Sequence, residues 1–398
     1  MDPLVVIGAG LAGWTTVREF RKLDTTTPVV VVTADRGDFY AKPSLSNAFA
    51  HRRSPAQLVT TAGEKMALSL NVRLLAHANV RALDPATRTL AVEMQGATES
   101  LPYSQLVLAT GAQPVRVPLQ GDAADQVRSI NSLDDFTLFH SAISPRAISV
   151  SRSESDSKTV VIMGAGLIGC EFANDLLHAG HRVHVVDPSD RPLAALLPIA
   201  ASEALREALT ALGVHWHFGA TVHSVEHGAN RQGLRVNLSS ATSLQADAVL
   251  SAIGLRAQTG LAVAAGLQCE RGVVVDTFLR TSAPGVYALG DCAQYASAGQ
   301  RTLPYVMPIM HAARALAATL AGTPTELRFP LMPVSIKTPA LPMVVAAPQP
   351  GQSGAWHADS APTTGIWRFR DSAQAQRGFV LSGAQTARHL ELAGSTLE

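Results

Sequence analysis

Apolar residues along this chain fall into short uninterrupted runs rather than long amphipathic stripes. Leu4-Val5-Val6-Ile7, Val29 to Val32, Val160-Val161-Ile162-Met163 and His181 to Val186 read as strands buried on both faces. A stretch of helical character separates the members of each pair, Trp14 to Leu23 in the first and Cys170 to His178 in the second. Strand, helix, strand at this spacing predicts parallel βαβ units, and the recurrence predicts an α/β chain with two such folds. Leu106 to Pro114 and Val249 to Thr259 add buried strands broken by glycine, and Thr281 to Ala293 ends a strand in Gly290-Asp291. Alanine and leucine from Pro308 to Ala321 predict a helix opened by the proline and ended by Gly322. Beyond it, closely spaced prolines predict short strands and turns, with strands around Gly365 to Phe369 and Gly378 to Ser382.

The turns between strand and helix carry the first chemical signal. Gly8-Ala9-Gly10-Leu11-Ala12-Gly13 follows the first strand, and Gly164-Ala165-Gly166-Leu167-Ile168-Gly169 follows the third. In such a turn the first glycine permits the tight bend, the second lets backbone amides approach a pyrophosphate, and the third lets helix and strand pack closely. The helix N-terminus then faces the anion. Asp35, after Thr33-Ala34, stands twenty-two residues beyond Gly13, and Asp187 stands eighteen beyond Gly169. Each is where a carboxylate accepts hydrogen bonds from a ribose. Asp187 would repel a 2′-phosphate, which favours NADH over NADPH, while Arg182 and Arg191 are close enough in sequence to soften that preference.

Composition changes this picture little. The 398 residues are 47% hydrophobic and 16% charged, enough to bury more than one core, and the net charge of +1 gives no bulk reason to expect a nucleic-acid partner. Three cysteines, Cys170, Cys269 and Cys292, are far apart, suggesting neither a disulfide framework nor a metal site. His215 and His217 alternate as on a strand, and no metal is assigned to them. Strand pattern begins at once after "MDP" and no apolar run is long enough to span a bilayer, so a cytoplasmic location without membrane insertion is expected.

The two glycine turns, with "LVLATGAQP", "VLSAIGLRAQT" and "TSAPGVYALGDCA", resemble the pyridine-nucleotide-disulfide oxidoreductase superfamily over about residues 1 to 320. The resemblance implies an FAD domain in two pieces, residues 1–112 and 246–321, an NADH domain at 113–245 and a smaller C-terminal α+β domain at 322–398. It assigns Asp291, beside Gly290, to the ribityl chain of FAD, and Lys42 and Pro43 to the flavin loop. Val80, Ala109, Thr110, Gly111, Gly254 and Val306 complete the residues it places at the cofactors.

Within that superfamily the disulfide reductases and peroxidases use cysteine beside the flavin, whereas "KPSLSNAF", Lys42 to Phe49, holds only Ser44 and Ser46 there. Electrons must therefore leave from the flavin itself, which suits a one-electron acceptor. "KPSLSNAF" and "SIKTPALPM", Ser335 to Met343, are similar to the segments of rubredoxin and flavorubredoxin reductases. The resemblance implies rubredoxin or a similar small iron redox protein as partner, with Lys42, Arg52, Arg53 and Lys337 as basic residues that could meet it. In ferredoxin-reductase relatives a lysine at the position of Asn47 pairs with the glutamate matching Glu171. Here Lys337 is expected to replace it, near flavin N5, and to pair with Glu171. A ferredoxin or flavorubredoxin reductase, and an NADH-sensing flavoprotein that acts by binding, remain the alternatives. Serine-rich Ser144 to Lys158 is expected to be a polar surface loop.

Overall fold

The computed structural model describes residues 2–144, 157–359 and 365–396; residues 145–156 of the expected serine-rich loop lie outside the described residues. The chain forms two compact units. One comprises Met1–Lys42, Ala56–Gln113 and Leu255–Pro330, and the other Pro43–Pro55, Pro114–Gly254 and Leu331–Glu398.

In the first unit the valine-rich runs form a parallel sheet in the order Val286–Ala288, Gln105–Leu108, Leu4–Ile7, Val29–Val32, Arg73–Leu75. Leu4–Ile7 and Val29–Val32 are buried along their whole length, as strands covered on both faces must be. From the central strand Leu4–Ile7 the chain runs to one side first and to the other later, so a crevice opens at its carboxyl end. Helix Leu11–Arg21 packs against helix Val306–Leu320. Its Trp14 is fully buried and donates its Nε1–H to the carbonyl of Gly37 at 2.9 Å, so burying the indole leaves no orphaned donor. The helix expected to open at Pro308 begins two residues earlier at Val306, with Pro308 still in the first turn, where no backbone N–H is required.

The second unit repeats the pattern with the parallel order Val214–Phe218, Arg182–Asp187, Thr159–Met163, Ala248–Ser251. Helix Leu167–His178 follows Thr159–Met163 and is buried on every side from Gly169 to Leu176. Helix Leu133–Ile143 starts at a capping box, in which the Ser132 hydroxyl accepts the Asp135 N–H and the Asp135 carboxylate accepts the Ser132 N–H. Its Phe136 and Phe139 pack on Phe49, with ring centroids 5.3 and 6.0 Å away, which anchors Pro43–Pro55 in this unit. The C-terminal residues form an antiparallel sheet, Val334–Ile336, Met343–Ala346, Gln376–Ser382, Ile366–Arg370, Ala355–Ala358, whose core includes Phe379, Leu381 and Leu392 of helix His389–Gly394. No helix among the described residues is long and apolar enough to cross a membrane.

His215 and His217 do lie on an edge strand, and His184 of the neighbouring strand joins them. His184 Nδ1 is 3.1 Å from His217 Nε2, and its ring stacks at 5.0 Å on that of His215. Among the described residues no cluster of metal-ligating side chains could hold a metal ion. Burial, then the neighbouring histidines, pushes His184 down to about 4. The unfolded chain would titrate this group at about 6.5, so below that pH it binds more protons than the folded one and stability falls. The urea midpoint should therefore drop between pH 6.5 and 4, and His184→Leu should flatten that drop; an unaltered pH slope in the variant would count against the cluster as its source.

Candidate nucleotide and redox site

The two glycine turns are built alike. Gly8, at φ +109°, bends the chain off its strand, and a Cβ there would stand 2.2 Å from the Ala109 carbonyl oxygen. A Cβ on Gly13 would stand 1.9 Å from the carbonyl oxygen of Gly8. In the second unit the corresponding distances are 2.6 Å, from Gly164 to Ala252, and 1.9 Å, from Gly169 to Gly164. Packing alone thus demands glycine at four positions. At Gly10 and Gly166, by contrast, a Cβ would meet nothing within 4 Å, and both residues have φ values that any amino acid adopts. The room there is left for something other than the chain. Both residues also cap helices whose first turns receive no side-chain hydrogen bond, so amide N–H groups and the positive dipole end face that room. Ala9, Leu11 and Ala12 line the first turn, and Leu167 and Ile168 the second.

The two acids sit at the expected strand ends. Asp35 is exposed, and one of its oxygens accepts the Thr33 hydroxyl at 2.7 Å and the Gly37 N–H at 2.8 Å. Ala34 lies between them, and the Ala78 N–H bonded to the Thr33 carbonyl brings in the strand Ala78–Asp84 that carries Val80. Asp187 is tied back to the second turn, with Oδ2 accepting the Ala165 N–H at 2.6 Å and Oδ1 the Ser189 N–H at 2.7 Å. The expected influence of Arg182 is not supported. It begins the strand that Asp187 ends, about 16 Å away at the rise of a β-strand. Arg191 instead pairs with Asp190 at 2.7 Å.

Gly290, at φ +80°, is gripped by one fully buried phenol: the Gly290 N–H donates to Tyr295 Oη at 2.7 Å, and that hydroxyl donates to the Gly290 carbonyl at 3.2 Å. The adjoining Asp291 is pushed up by burial and pulled down by Lys42, and its carboxylate has no hydrogen-bond partner among the described residues. Such a carboxylate suits a ligand hydroxyl. Thr110 donates its hydroxyl to the Gln258 carbonyl at 2.9 Å, beside Ala109 and Gly111. Gly111 and Gly254 have positive φ and open space where a side chain would go. Val306 is exposed at the uncapped start of its helix.

Glu171, completely buried on helix Leu167–His178, meets Lys337 and Ser46 in the second unit. Its Oε2 lies 2.7 Å from the Lys337 ammonium and 2.6 Å from the Ser46 hydroxyl, while Oε1 accepts the Lys337 backbone N–H at 2.9 Å. The ammonium also donates to Ser46 Oγ at 2.9 Å and to the Pro43 carbonyl. The same helix face supplies Asn174, whose Oδ1 accepts the Ala340 N–H at 3.0 Å. It also supplies Asp175, whose two oxygens accept the Phe49 and Ala50 N–H groups at 3.0 and 2.8 Å. The sequence pairs Lys337 with Glu171, but it does not single out Ser46, Asn174 or Asp175. The available signal was two serines where relatives keep a thiol, and nothing in their spacing says which faces the glutamate. All three cysteines are free, and burial raises each thiol's pKa.

Residues 2–318 match the family described as pyridine nucleotide-disulphide oxidoreductase, and this chain belongs to it. Residues 326–396 match the rubredoxin binding C-terminal domain. The rubredoxin-NAD(+) reductase of Alcanivorax borkumensis is 44% identical over 98% of this chain and 98% of its own. The nitric oxide reductase FlRd-NAD(+) reductase of Aeromonas hydrophila is 38% identical over 96% of this chain and 93% of its own. Among solved structures, the covalent putidaredoxin reductase–putidaredoxin complex has a TM-score of 0.86 at 22% identity, covering 99% of this chain and 92% of that one, a likeness of fold.

The open faces at Gly10 and Gly166 can be filled one at a time. Gly10→Val should yield folded protein without bound FAD, and Gly166→Val should keep FAD but lose its reduction by NADH, both read from the flavin absorbance spectrum. Retention of both properties in either variant would show that its open face is not a phosphate seat.

Proposed function

We propose that this chain is an FAD-dependent NADH:rubredoxin reductase. The observation that carries the reading is a pair of nucleotide turns joined in one chain to a rubredoxin binding C-terminal domain. FAD, when bound, accepts hydride from NADH and releases electrons singly to an iron centre. The first turn, Asp35, Lys42 and Asp291 would hold FAD, in a domain of residues 1–112 and 246–321. The second turn and Asp187 would hold NADH, in residues 113–245, with the remainder serving the protein partner.

The chain's own groups then position and polarise. The Gly10 and Gly166 turns present amides to the two pyrophosphates. Lys337, whose side chain keeps 32% of its surface exposed beside a fully buried Glu171, has both the room and the charge to act at the flavin N5 edge. A cation there stabilises electron-rich flavin without any proton transfer by the protein. No thiol belongs to this cluster, so electrons pass from flavin to carrier directly. Three free cysteines suit a reducing cytoplasm.

In stopped-flow mixing, enzyme reduced by NADH should be re-oxidised rapidly by rubredoxin and slowly by a [2Fe–2S] ferredoxin. Fast re-oxidation by ferredoxin alone would shift the assignment to a ferredoxin reductase, and none by either carrier would favour an NADH-sensing protein. Asp187→Ala should lower the ratio of NADH to NADPH turnover by about tenfold, the worth of one charge-assisted hydrogen bond. An unchanged ratio would remove Asp187 from nucleotide selection.

A further inference from the structure

The Lys337 ammonium has three protons and three acceptors, Glu171 Oε2, Ser46 Oγ and the Pro43 carbonyl, all supplied by the chain. Its donors are therefore saturated before any ligand arrives, and what it offers outward is a fixed charge. The direction of that charge is set by a closed triangle. Ser46 donates to Glu171 at 2.6 Å and accepts from Lys337 at 2.9 Å, while Lys337 reaches Glu171 at 2.7 Å. Without Ser46 the ammonium would keep a bond to a buried carboxylate and a carbonyl but lose the third point that fixes its azimuth.

Ser46 is not held there by its local segment. Its 3₁₀ turn, Lys42–Asn47, is irregular, with Ser46 itself off helical geometry at φ −89° and ψ 15°. The turn is instead fixed from outside, by the Asp175 carboxylate gripping the next two amides after Ala48 and by Phe49 seated among Phe136, Phe139 and His140. Asp175 is nearly fully buried, an arrangement that is costly unless its hydrogen bonds are kept. The Pro43 carbonyl, which the Ser46 hydroxyl can also reach, is 3.3 Å away, a poorer partner than Glu171.

We propose that Ser46 is a positioning residue of this reductase, locked by Asp175, that sets where the Lys337 ammonium acts on the flavin. This rests on the reading of Lys337 given above. Because Ser46 acts only through Lys337, its loss and the loss of the lysine must not add.

The test is a double-mutant cycle on the FAD-loaded enzyme, Ser46→Ala, Lys337→Met and both together, reading the flavin midpoint potential and the rate of flavin reduction at saturating NADH. Ser46→Ala should slow reduction about tenfold, the lower end of the worth of a hydrogen bond to a charged group, and leave the NADH concentration for half-maximal rate unchanged. It should displace the potential in the same direction as Lys337→Met. The double variant should behave as Lys337→Met alone. Additive effects, or a silent Ser46→Ala beside an active Lys337→Met, overturn the role of Ser46 and leave that of Lys337 standing. A silent Lys337→Met overturns both. If Ser46→Ala fails to retain FAD, Asp175→Asn runs the same cycle: its amide offers one acceptor and a mismatched donor to the two N–H groups, and its effect too should vanish in the Lys337→Met background.

Discussion

Two carbonyl oxygens, those of Gly8 and Gly164, approach the helix that follows them so closely that no side chain fits between. A Cβ on Gly13 or Gly169 would lie 1.9 Å from them. That contact draws each fingerprint helix onto its strand and leaves the helix N-terminus at the carboxyl edge of a parallel sheet. Everything chemical in the molecule is arranged around the outcome. In each unit an acid stands at or just past the end of the neighbouring strand and an open glycine caps the helix, and the polar side chains of the second helix reach segments distant in sequence.

That second helix does more than present amides to an anion. Glu171, Asn174 and Asp175 occupy successive positions of one face, and each captures backbone or side-chain donors from a segment distant in sequence. Burying two carboxylates is unfavourable in itself, and the structure answers with donors to all four of their oxygens. The helix that opens at the second glycine turn therefore also fixes the "KPSLSNAF" and "IKTP" segments.

Features encoded by local spacing were legible in the sequence. The glycine turns, the valine strands, Asp35, Asp187 and the C-terminal strands near residues 366 and 379 follow from periodicity and from residues within a few positions of each other. The pairing of Lys337 with Glu171 was reached through resemblance, since 166 residues separate them. Ser46 and Asp175 escaped for the same reason without that help: a serine in a polar turn and an aspartate in a helix look solvated until the partner 125 or 126 residues away is known. Arg182 failed in the opposite sense, being near Asp187 in number but at the wrong end of an extended strand.

The grip of Tyr295 on Gly290 bears on how a ligand is received. One hydroxyl serves both the N–H and the carbonyl of a residue in left-handed conformation, so each of the two peptides flanking Gly290 is held by one bond to Tyr295, and the one leading into Asp291 cannot flip without breaking the bond to the Gly290 carbonyl. The backbone direction from which Asp291 departs is thus settled when the chain folds. A ligand that bonded to this segment would meet a backbone already fixed, and little conformational entropy of that backbone would be left to be lost on binding.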